Sequence, residues 1–228
     1  MNILLIEDEL KIADFVIDGL AKAKYRVEHI ADGVRGLARI QEGCHDLVVL
    51  DVMLPGLSGF DVLRQLRESG NTVPVIILSA KVDLPDRLLG FEIGADDYLP
   101  KPFYVEELVA RIKSVTGRSV QDKPQTITVD QLTLEIVSRR AQWHEVAAVL
   151  SQREFSLLAY LMRTPGHIYS RKQILKEVWH IDFDPHTNVV DVYVGRIKRK
   201  LCRGDNEDLS PIESIRGVGY RLHTQGES

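Results

Sequence analysis

Over residues 1–118, short apolar runs recur at near-even spacing, and the stretches between them carry helical periodicity. The runs are 3–6, 25–29, 47–50, 74–78 and a short 98–99. Between the first two, Ile12, Phe15, Val16, Leu20 and Ala23 repeat every three to four residues. Phe60, Leu63 and Leu66 do so after the third run, and Leu108, Val109, Ile112 and Val115 after Pro102. Strands that alternate with helices of roughly 10–15 residues pair in parallel through right-handed crossovers, which predicts a doubly wound α/β sheet. Five strands suit the flavodoxin-like order, whose functional crevice lies at the carboxyl ends of the strands.

The polar residues fall where that rule puts a site. Glu7 and Asp8 directly follow the first run, Asp51 the third, Ser79 the fourth and Lys101 the short fifth. One aspartate at a strand end is ordinarily a solvated cap. Carboxylates, a hydroxyl and an ammonium converging from four segments are harder to read that way. Clustered carboxylates repel unless a cation lies among them. Oxygen ligands favour Mg2+, which keeps several waters and needs only one or two carboxylates. Beside such an ion an ionised aspartate can attack a phosphoryl group. Charge on the equatorial oxygens would be stabilised by the metal and Lys101, and Ser79 could hydrogen-bond one of them. The product is an acyl phosphate on Asp51, which adds charge and strong acceptors to the crevice.

The segments Glu7-Asp8-Glu9, Leu50-Asp51-Val52-Met53-Leu54-Pro55-Gly56, Ser79-Ala80, Gly94-Ala95-Asp96-Asp97-Tyr98 and Lys101-Pro102-Phe103 together resemble the receiver domain of two-component response regulators, over essentially all of 1–118. The resemblance implies that Asp51 is the phosphoacceptor, charged by a sensor histidine kinase. It implies that Asp8, Asp51 and the backbone carbonyl of Met53 hold Mg2+, with Glu7 acting through water, and that Lys101 pairs with the phosphoryl group. Ser79 and Tyr98 become switch residues: the hydroxyl moves toward the phosphate and the ring turns inward behind it. A cis Lys101–Pro102 bond is implied too, against a general expectation of only a few per cent for X–Pro bonds. So is a homodimer on phosphorylation, formed through the fourth helix, fifth strand and fifth helix, with Asp97 paired to Arg111 and Asp96 to Lys113. At position 89, where the subfamily usually has a basic residue to pair with Glu107, this chain has Leu89. Glu107 is therefore expected to lack that partner. Exposed pairs contribute about 0–1 kcal/mol, so dimerisation is expected to survive.

Net charge is −4, a poor balance for a nucleic-acid binder, but its distribution is uneven. Residues 1–118 hold 14 Lys/Arg against 19 Asp/Glu, whereas 125–228 hold 14 against 13, and 188–203 carry five basic residues and one acidic one. The second half thus has a local basic strip suited to nucleic acid. No run of about 18 apolar residues is present. The first residues show neither a basic region nor a small-residue cleavage site. Cys44 and Cys202 fall in different halves, which argues against a disulfide framework. These features predict a cytoplasmic protein with no membrane partner.

Residues 119–124 are polar, include Pro124 and read as an exposed linker. Strand-like segments follow at 127–129, 132–136 and 141–144. Ser151-Gln152-Arg153-Glu154 has the form of a capping box. It opens a helix whose apolar face is Phe155, Leu158, Leu161 and Met162, and Thr164-Pro165-Gly166 stops it. Ser170 caps a second helix carrying Ile174, Leu175, Val178 and Trp179. A third covers about 188–202, and a Gly-containing hairpin, 212–215 and 220–222, closes the chain. On the third helix Val190, Val194, Ile197 and Leu201 form the core stripe. The opposite face shows Asn188, Val192, Gly195, Arg196, Arg199 and Arg203, and the hairpin adds Arg216 and Arg221. Arg and Asn suit base edges, Arg and Lys suit phosphates, and a major groove admits one helix. A basic amphipathic helix alone is ordinarily solvated surface; a helix-turn-helix followed by such a hairpin points to a winged helix.

Leu150-Ser151-Gln152-Arg153-Glu154-Phe155-Ser156-Leu157-Leu158, Ser170-Arg171-Lys172-Gln173-Ile174-Leu175, Val189-Val190-Asp191-Val192-Tyr193-Val194 and Ile215-Arg216-Gly217-Val218-Gly219-Tyr220-Arg221-Leu222 are similar to the OmpR/PhoB effector domain. The similarity implies an α+β winged helix-turn-helix DNA-binding domain over 125–225 that opens with a four-stranded sheet. It implies binding to double-stranded promoter DNA at tandem half-sites, with Arg216 or Arg221 of the wing at the minor groove or its phosphates. The loop 180–187 corresponds to one that can touch RNA polymerase. The stretch 183–192 is similar to heavy-metal-responsive members, copper-responsive ones above all. With no Cys/His ligand cluster in the chain, a metal signal would be sensed by the kinase.

The chain is thus expected to be a phosphorylation-activated, sequence-specific transcription regulator, and no enzyme beyond its own phosphorylation and dephosphorylation. Two other classes compete. An Asp-nucleophile phosphatase of the haloacid dehalogenase type carries a second Asp two positions after the nucleophile, and here that position is Met53. A regulator working without phosphate through an atypical receiver is opposed by the intact set Asp8, Asp51, Ser79 and Lys101.

Overall fold

The computed structural model describes residues 1–80, 83–117, 126–182, 187–202 and 210–223. The expected linker 119–124, loop residues 183–186 and Arg203 lie outside these. The chain divides into two compact units, Met1–Gln121 and Asp122–Ser228.

The first unit runs β1 (Asn2–Ile6), α1 (Leu10–Lys22), β2 (Arg26–Ile30), α2 (Gly33–Gln41), β3 (Leu47–Asp51), α3 (Gly59–Glu68), β4 (Val75–Ser79), α4 (Leu84–Ile93), β5 (Asp97–Pro100) and α5 (Val105–Thr116). Every strand pairing is parallel, in the order β2-β1-β3-β4-β5. Helices cover both faces, which is why β3 and β4 are unbroken apolar runs rather than alternating ones and are buried along their whole length. One face of the sheet packs Leu5, Val49 and Leu78 against Val16 and Leu20 of α1 and Leu108 and Ile112 of α5. Phe15, expected on the buried stripe of α1, instead remains 50% exposed, its ring 6.3 Å from that of Phe103. Ala13 takes the core position in its place. The Lys101–Pro102 bond is cis, as the resemblance implied.

Glu28 at the edge strand β2 shows how this unit responds to acid. Its carboxylate receives Arg39 Nε at 2.7 Å and Arg39 Nη2 at 3.0 Å, and His45 Nε2 lies 3.0 Å away. Arg39 first, and His45 after it, hold the Glu28 pKa down to about 2 despite partial burial. A depressed carboxylate pKa gives stability that is complete above the unfolded value near 4.5 and is lost as pH falls toward about 2. Glu28 is 41% exposed, so solvent screening keeps the effect small. Glu28→Gln should flatten the pH dependence of unfolding between pH 4.5 and 2 and leave it unchanged at neutrality, as urea titrations at a series of pH values would read.

The second unit opens with an antiparallel sheet, β6 (Thr126–Val129), β7 (Leu132–Glu135), β8 (Arg140–Trp143) and β9 (Val146–Val149), in sequential order. α6 (Gln152–Met162) follows. Its capping box is complete: Ser151 Oγ accepts from Glu154 N while Glu154 accepts from Ser151 N. β10 (Tyr169–Ser170) leads into α7 (Arg171–Ile174), where Ser170 and Gln173 form a second box. The second helix does not continue as an α-helix. Leu175–Trp179 is π-helical, and it buries Leu175, Val178 and Trp179. α8 (Val189–Leu201) comes next, then β11 (Ile212–Ile215) and β12 (Gly219–Leu222), which pair antiparallel with each other while β12 also pairs with β10. This three-stranded sheet and the α6–α7–α8 helices give the winged helix-turn-helix architecture. Among the described residues no helix is long and apolar enough to cross a membrane.

Candidate functional site

The parallel sheet delivers polar side chains from the ends of β1, β3, β4 and β5 to the same rim. Asp51 and Ser79 are the last residues of β3 and β4, Glu7 and Asp8 follow β1, and Lys101 follows β5. Oxygens of Glu7, Asp8 and Asp51 lie within 4.8 Å of one another; Glu7 and Asp51 are buried and Asp8 is exposed. Lys101 Nζ donates to Glu7 Oε2 at 2.7 Å and to Asp51 Oδ2 at 2.9 Å. Its own backbone N–H donates to Ser79 O at 2.7 Å, which fixes the β5–α5 loop to the end of β4. His29 Nε2 lies 2.7 Å from the Glu7 carbonyl and ties β2 to the same rim. Gly59, which opens α3, lets that helix lie against the end of β3: a Cβ there would sit 2.0 Å from Asp51 O.

Electrostatics follow from this crowding. Burial pushes the Glu7 carboxyl above its usual range and the Asp51 charge adds to the push, while the hydrogen bond from Lys101 opposes it. Burial works against the Lys101 ammonium, but its hydrogen bonds to Glu7 and Asp51 outweigh that and hold its pKa above the ordinary value. Three carboxylates facing one ammonium leave an excess of negative charge. The donor set, all hard oxygen with one exposed member, fits a divalent oxygen-ligated cation such as Mg2+.

Behind this rim Tyr98 is 1% exposed and Ser79 fully buried, and their hydroxyls are hydrogen-bonded neighbours. Burial raises the Tyr98 pKa, and the Ser79 contact opposes that rise.

On the α4–β5–α5 face one expectation needs correction. Asp96 does not project toward Lys113. It is 1% exposed, and its carboxylate receives Arg67 Nη2 at 3.0 Å and Val75 N at 2.9 Å. It precedes β5 and turns inward to join α3 and β4, whereas Lys113 is exposed on α5. Glu107 has no basic residue at position 89 to pair with, as expected, but it does not stand alone. It pairs one turn along α5 with Arg111 at 2.8 Å, and Arg111 reaches Asp97 at 3.0 Å within the same chain. Leu89 is 39% exposed on α4. Nothing in the sequence marked Arg67, an ordinary basic residue of α3, as the partner of Asp96.

In the second unit α8 buries Val190, Val194, Ile197 and Leu201, together with Val189 and Tyr193. Asn188 and Arg199 are exposed, and Val192, Gly195 and Arg196 are half-buried on the opposite face. The Arg196 guanidinium lies over the Tyr193 ring, 4.9 Å from its centroid. At the hairpin Arg216 is exposed, while Arg221 Nε donates to Glu213 Oε2 at 2.6 Å. The structure thus brings Asn188, Val192, Arg196 and Arg199 onto one helix face and puts Arg216 at the turn of the β11–β12 hairpin.

Two family models match: "Response regulator receiver domain" over residues 3–113 and "Transcriptional regulatory protein, C terminal" over 145–222. The transcriptional regulatory protein YkoG of Bacillus subtilis is 42% identical over 224 residues, 97% of each chain. CiaR of Streptococcus pneumoniae, also a transcriptional regulatory protein, is 38% identical over 222 residues, 97% of this chain and 98% of that one. Among solved structures, a mutant form of RitR aligns over 98% of this chain and 99% of its own, with a TM-score of 0.66 at 31% identity. The Thermotoga maritima OmpR/PhoB homologue DrrB aligns over the same shares, with a TM-score of 0.50 at 30% identity.

Proposed function

The chain belongs to the OmpR/PhoB-type response regulators, phosphorylation-dependent transcription regulators of two-component systems, and from that premise we propose that Asp51 takes the phosphoryl group of a sensor histidine kinase. The observation that carries this is the Lys101 ammonium held between Glu7 and Asp51 at the end of the parallel sheet. Mg2+ held by Asp8, Asp51 and the Met53 carbonyl, with Glu7 through water, would neutralise the carboxylates and the phosphoryl oxygens.

A carboxylate oxygen of Asp51 attacks the phosphorus of the kinase phosphohistidine. The new O–P bond forms as the P–N bond breaks, and the imidazole leaves with the electron pair and takes up a proton. Lys101 exchanges its contact with Asp51 for one to a phosphoryl oxygen. Ser79 turns its hydroxyl toward the phosphate, and Tyr98 fills the space behind it. Hydrolysis reverses the modification when water attacks the same phosphorus.

The modification favours a symmetric receiver dimer through α4, β5 and α5, with Leu89, Asp97, Glu107, Arg111 and Lys113 at the contact and Asp96 supporting it from within. Because Arg111 is already paired twice in its own chain, Leu89 supplies the apolar part of that face. Dimers raise the local concentration of the second unit at tandem half-sites. There Asn188, Val192, Arg196, Arg199 and Arg203 meet the major groove, and Arg216 or Arg221 the minor groove or its phosphates. The loop 180–187 is the part that touches RNA polymerase. The copper-responsive subgroup rests on residues 183–192 alone.

The test is oligomeric state and DNA affinity with and without Mg2+ plus beryllofluoride, which mimics the phosphoryl group on Asp51. The expected outcome is conversion to dimer and tighter, salt-dependent binding to a direct-repeat duplex. No change in either would overturn the switch.

A further inference from the structure

Three elements of the second unit meet at one carboxylate. Asp191 lies in the first turn of α8, between Val190 of the core stripe and Val192 of the exposed face. Its Oδ1 receives Arg171 Nη2 at 2.7 Å and Arg171 Nε at 3.0 Å, and the Tyr220 hydroxyl also donates to it. Arg171 is the first residue of α7, and Tyr220 belongs to the hairpin strand β12. The Arg171 guanidinium further lies over the Tyr220 ring, 5.2 Å from its centroid. One carboxylate thus ties the start of the α8 helix to the helix before it and to the hairpin after it. The three elements are drawn from residues 49 positions apart in sequence.

We propose that Arg171, Asp191 and Tyr220 are positioning residues that lock α8 and the β11–β12 hairpin at one mutual angle, so that the helix enters the major groove and Arg216 reaches its DNA contact in the same pose. The proposal rests on the DNA-binding reading above. Its chemistry is unusual for a helix read as entering DNA, because it plants an anion in that helix's first turn. A carboxylate there opposes DNA by charge unless it is neutralised, and Arg171 neutralises it. Both partners of Asp191 donate directly to its carboxylate, and a charge-assisted hydrogen bond fixes geometry better than an apolar contact does. The core behind α8 is already filled by Val189, Val190 and Tyr193, each at most 1% exposed, so packing holds the helix without this cluster. What the cluster adds is the relation of helix to hairpin. Two contact surfaces held at a fixed angle bind as one preorganised unit, whereas a hairpin free to swing loses the benefit of its own contact to ordering entropy.

A double-mutant cycle on the full-length protein tests this. The probe is a duplex selected from a randomised pool by the wild-type protein, with affinity read by fluorescence anisotropy at fixed salt. Tyr220→Phe removes one hydroxyl and no charge. Alone it should weaken binding about fivefold, and Arg216→Ala alone about tenfold, each within the range of single contacts. Combined, they should cost little more than the worse single change, because a mispositioned hairpin no longer profits from Arg216. Asp191→Asn should show the same lack of additivity, and Asp191→Glu should restore part of it. Strictly additive losses, with Arg216→Ala as costly in the Tyr220→Phe protein as in wild type, would overturn the positioning role while leaving the hairpin as a DNA contact. A silent Arg216→Ala in wild type would overturn both the hairpin contact and the proposal. Thermal unfolding of each variant separates a loss of fold from a loss of alignment: a Tyr220→Phe protein that unfolds well below wild type and also loses its α8 contacts in equal measure would count against the proposal.

Discussion

Asp51→Ala is expected to abolish stoichiometric labelling by acetyl phosphate and, with it, the dimerisation and tighter DNA binding induced by Mg2+ with beryllofluoride. The loss should be complete rather than graded. The two buried neighbours are poorly placed to replace the nucleophile: Glu7 is buried against Lys101, and Ser79 is fully buried at the end of β4 beside Tyr98, while Asp8 is the carboxylate assigned to the metal. The variant should still fold. Removing one of two buried carboxylates that share Lys101 relieves a repulsion that raises Glu7, so the receiver should be no less stable at neutral pH. Weak, phosphate-independent DNA binding should remain, because the α8 face belongs to the other unit. Acrylamide gels that retard the phosphorylated form, run beside size-exclusion chromatography, read both effects. A variant that still takes up the phosphoryl group would remove Asp51 from the role of acceptor.

Arg67→Met is expected to lower the stability of the receiver by about 3 kcal/mol, the usual cost of stripping one partner from a buried ion pair. Asp96 has a carboxylate with no solvent exposure, and Arg67 is its charged partner among the contacts described, at 3.0 Å. The same guanidinium donates to the carbonyls of Gly94 and Asn71, so its loss also frees two acceptors at the α3–β4 and α4–β5 connections. Arg67→Met/Asp96→Asn should recover much of the loss, because an amide can keep its hydrogen bond to Val75 N without carrying a charge. Urea unfolding of the receiver, followed by circular dichroism, gives the numbers. A cost below about 1 kcal/mol for the single change would place Asp96 in a solvated, surface-like setting.

The contrast between Asp96 and Asp97 shows where a sequence runs short. Both are acidic and adjacent, and nothing in their chemistry says which turns inward. The pleat decides it: Asp97 begins β5 and points to Arg111 on α5, so its neighbour points the other way, into the α3 side of the sheet. The strands, by contrast, were readable because a parallel sheet buried on both faces must be written as uninterrupted apolar runs, and 47–50 and 74–78 are such runs. α2 carried no comparable signal. Gly33 and Gly36 interrupt its apolar stripe, and the structure gives the reason: a Cβ on Gly33 would lie 2.0 Å from Leu57 O. β9 was invisible in the residue pattern for a related reason, since Val146-Ala147-Ala148-Val149 neither alternates nor carries a large side chain. At the acidic rim the order of strands sufficed, because the residues that matter are the first polar ones after each apolar run. The Arg171–Asp191–Tyr220 cluster had no such marker. Its members come from three elements whose mutual placement is a tertiary fact, and each residue taken alone reads as ordinary surface.

The bond from Lys101 to Glu7 spans 94 positions of sequence. During synthesis all three carboxylates leave the ribosome well before their cation does. Until β5 has emerged and paired with β4, Asp51 and its anionic neighbours stand without the ammonium that bridges them in the finished receiver. If Lys101 steadies the transferring phosphoryl group as proposed, an unfinished chain should be a poor acceptor, and the ability to take the signal arrives together with the completed sheet.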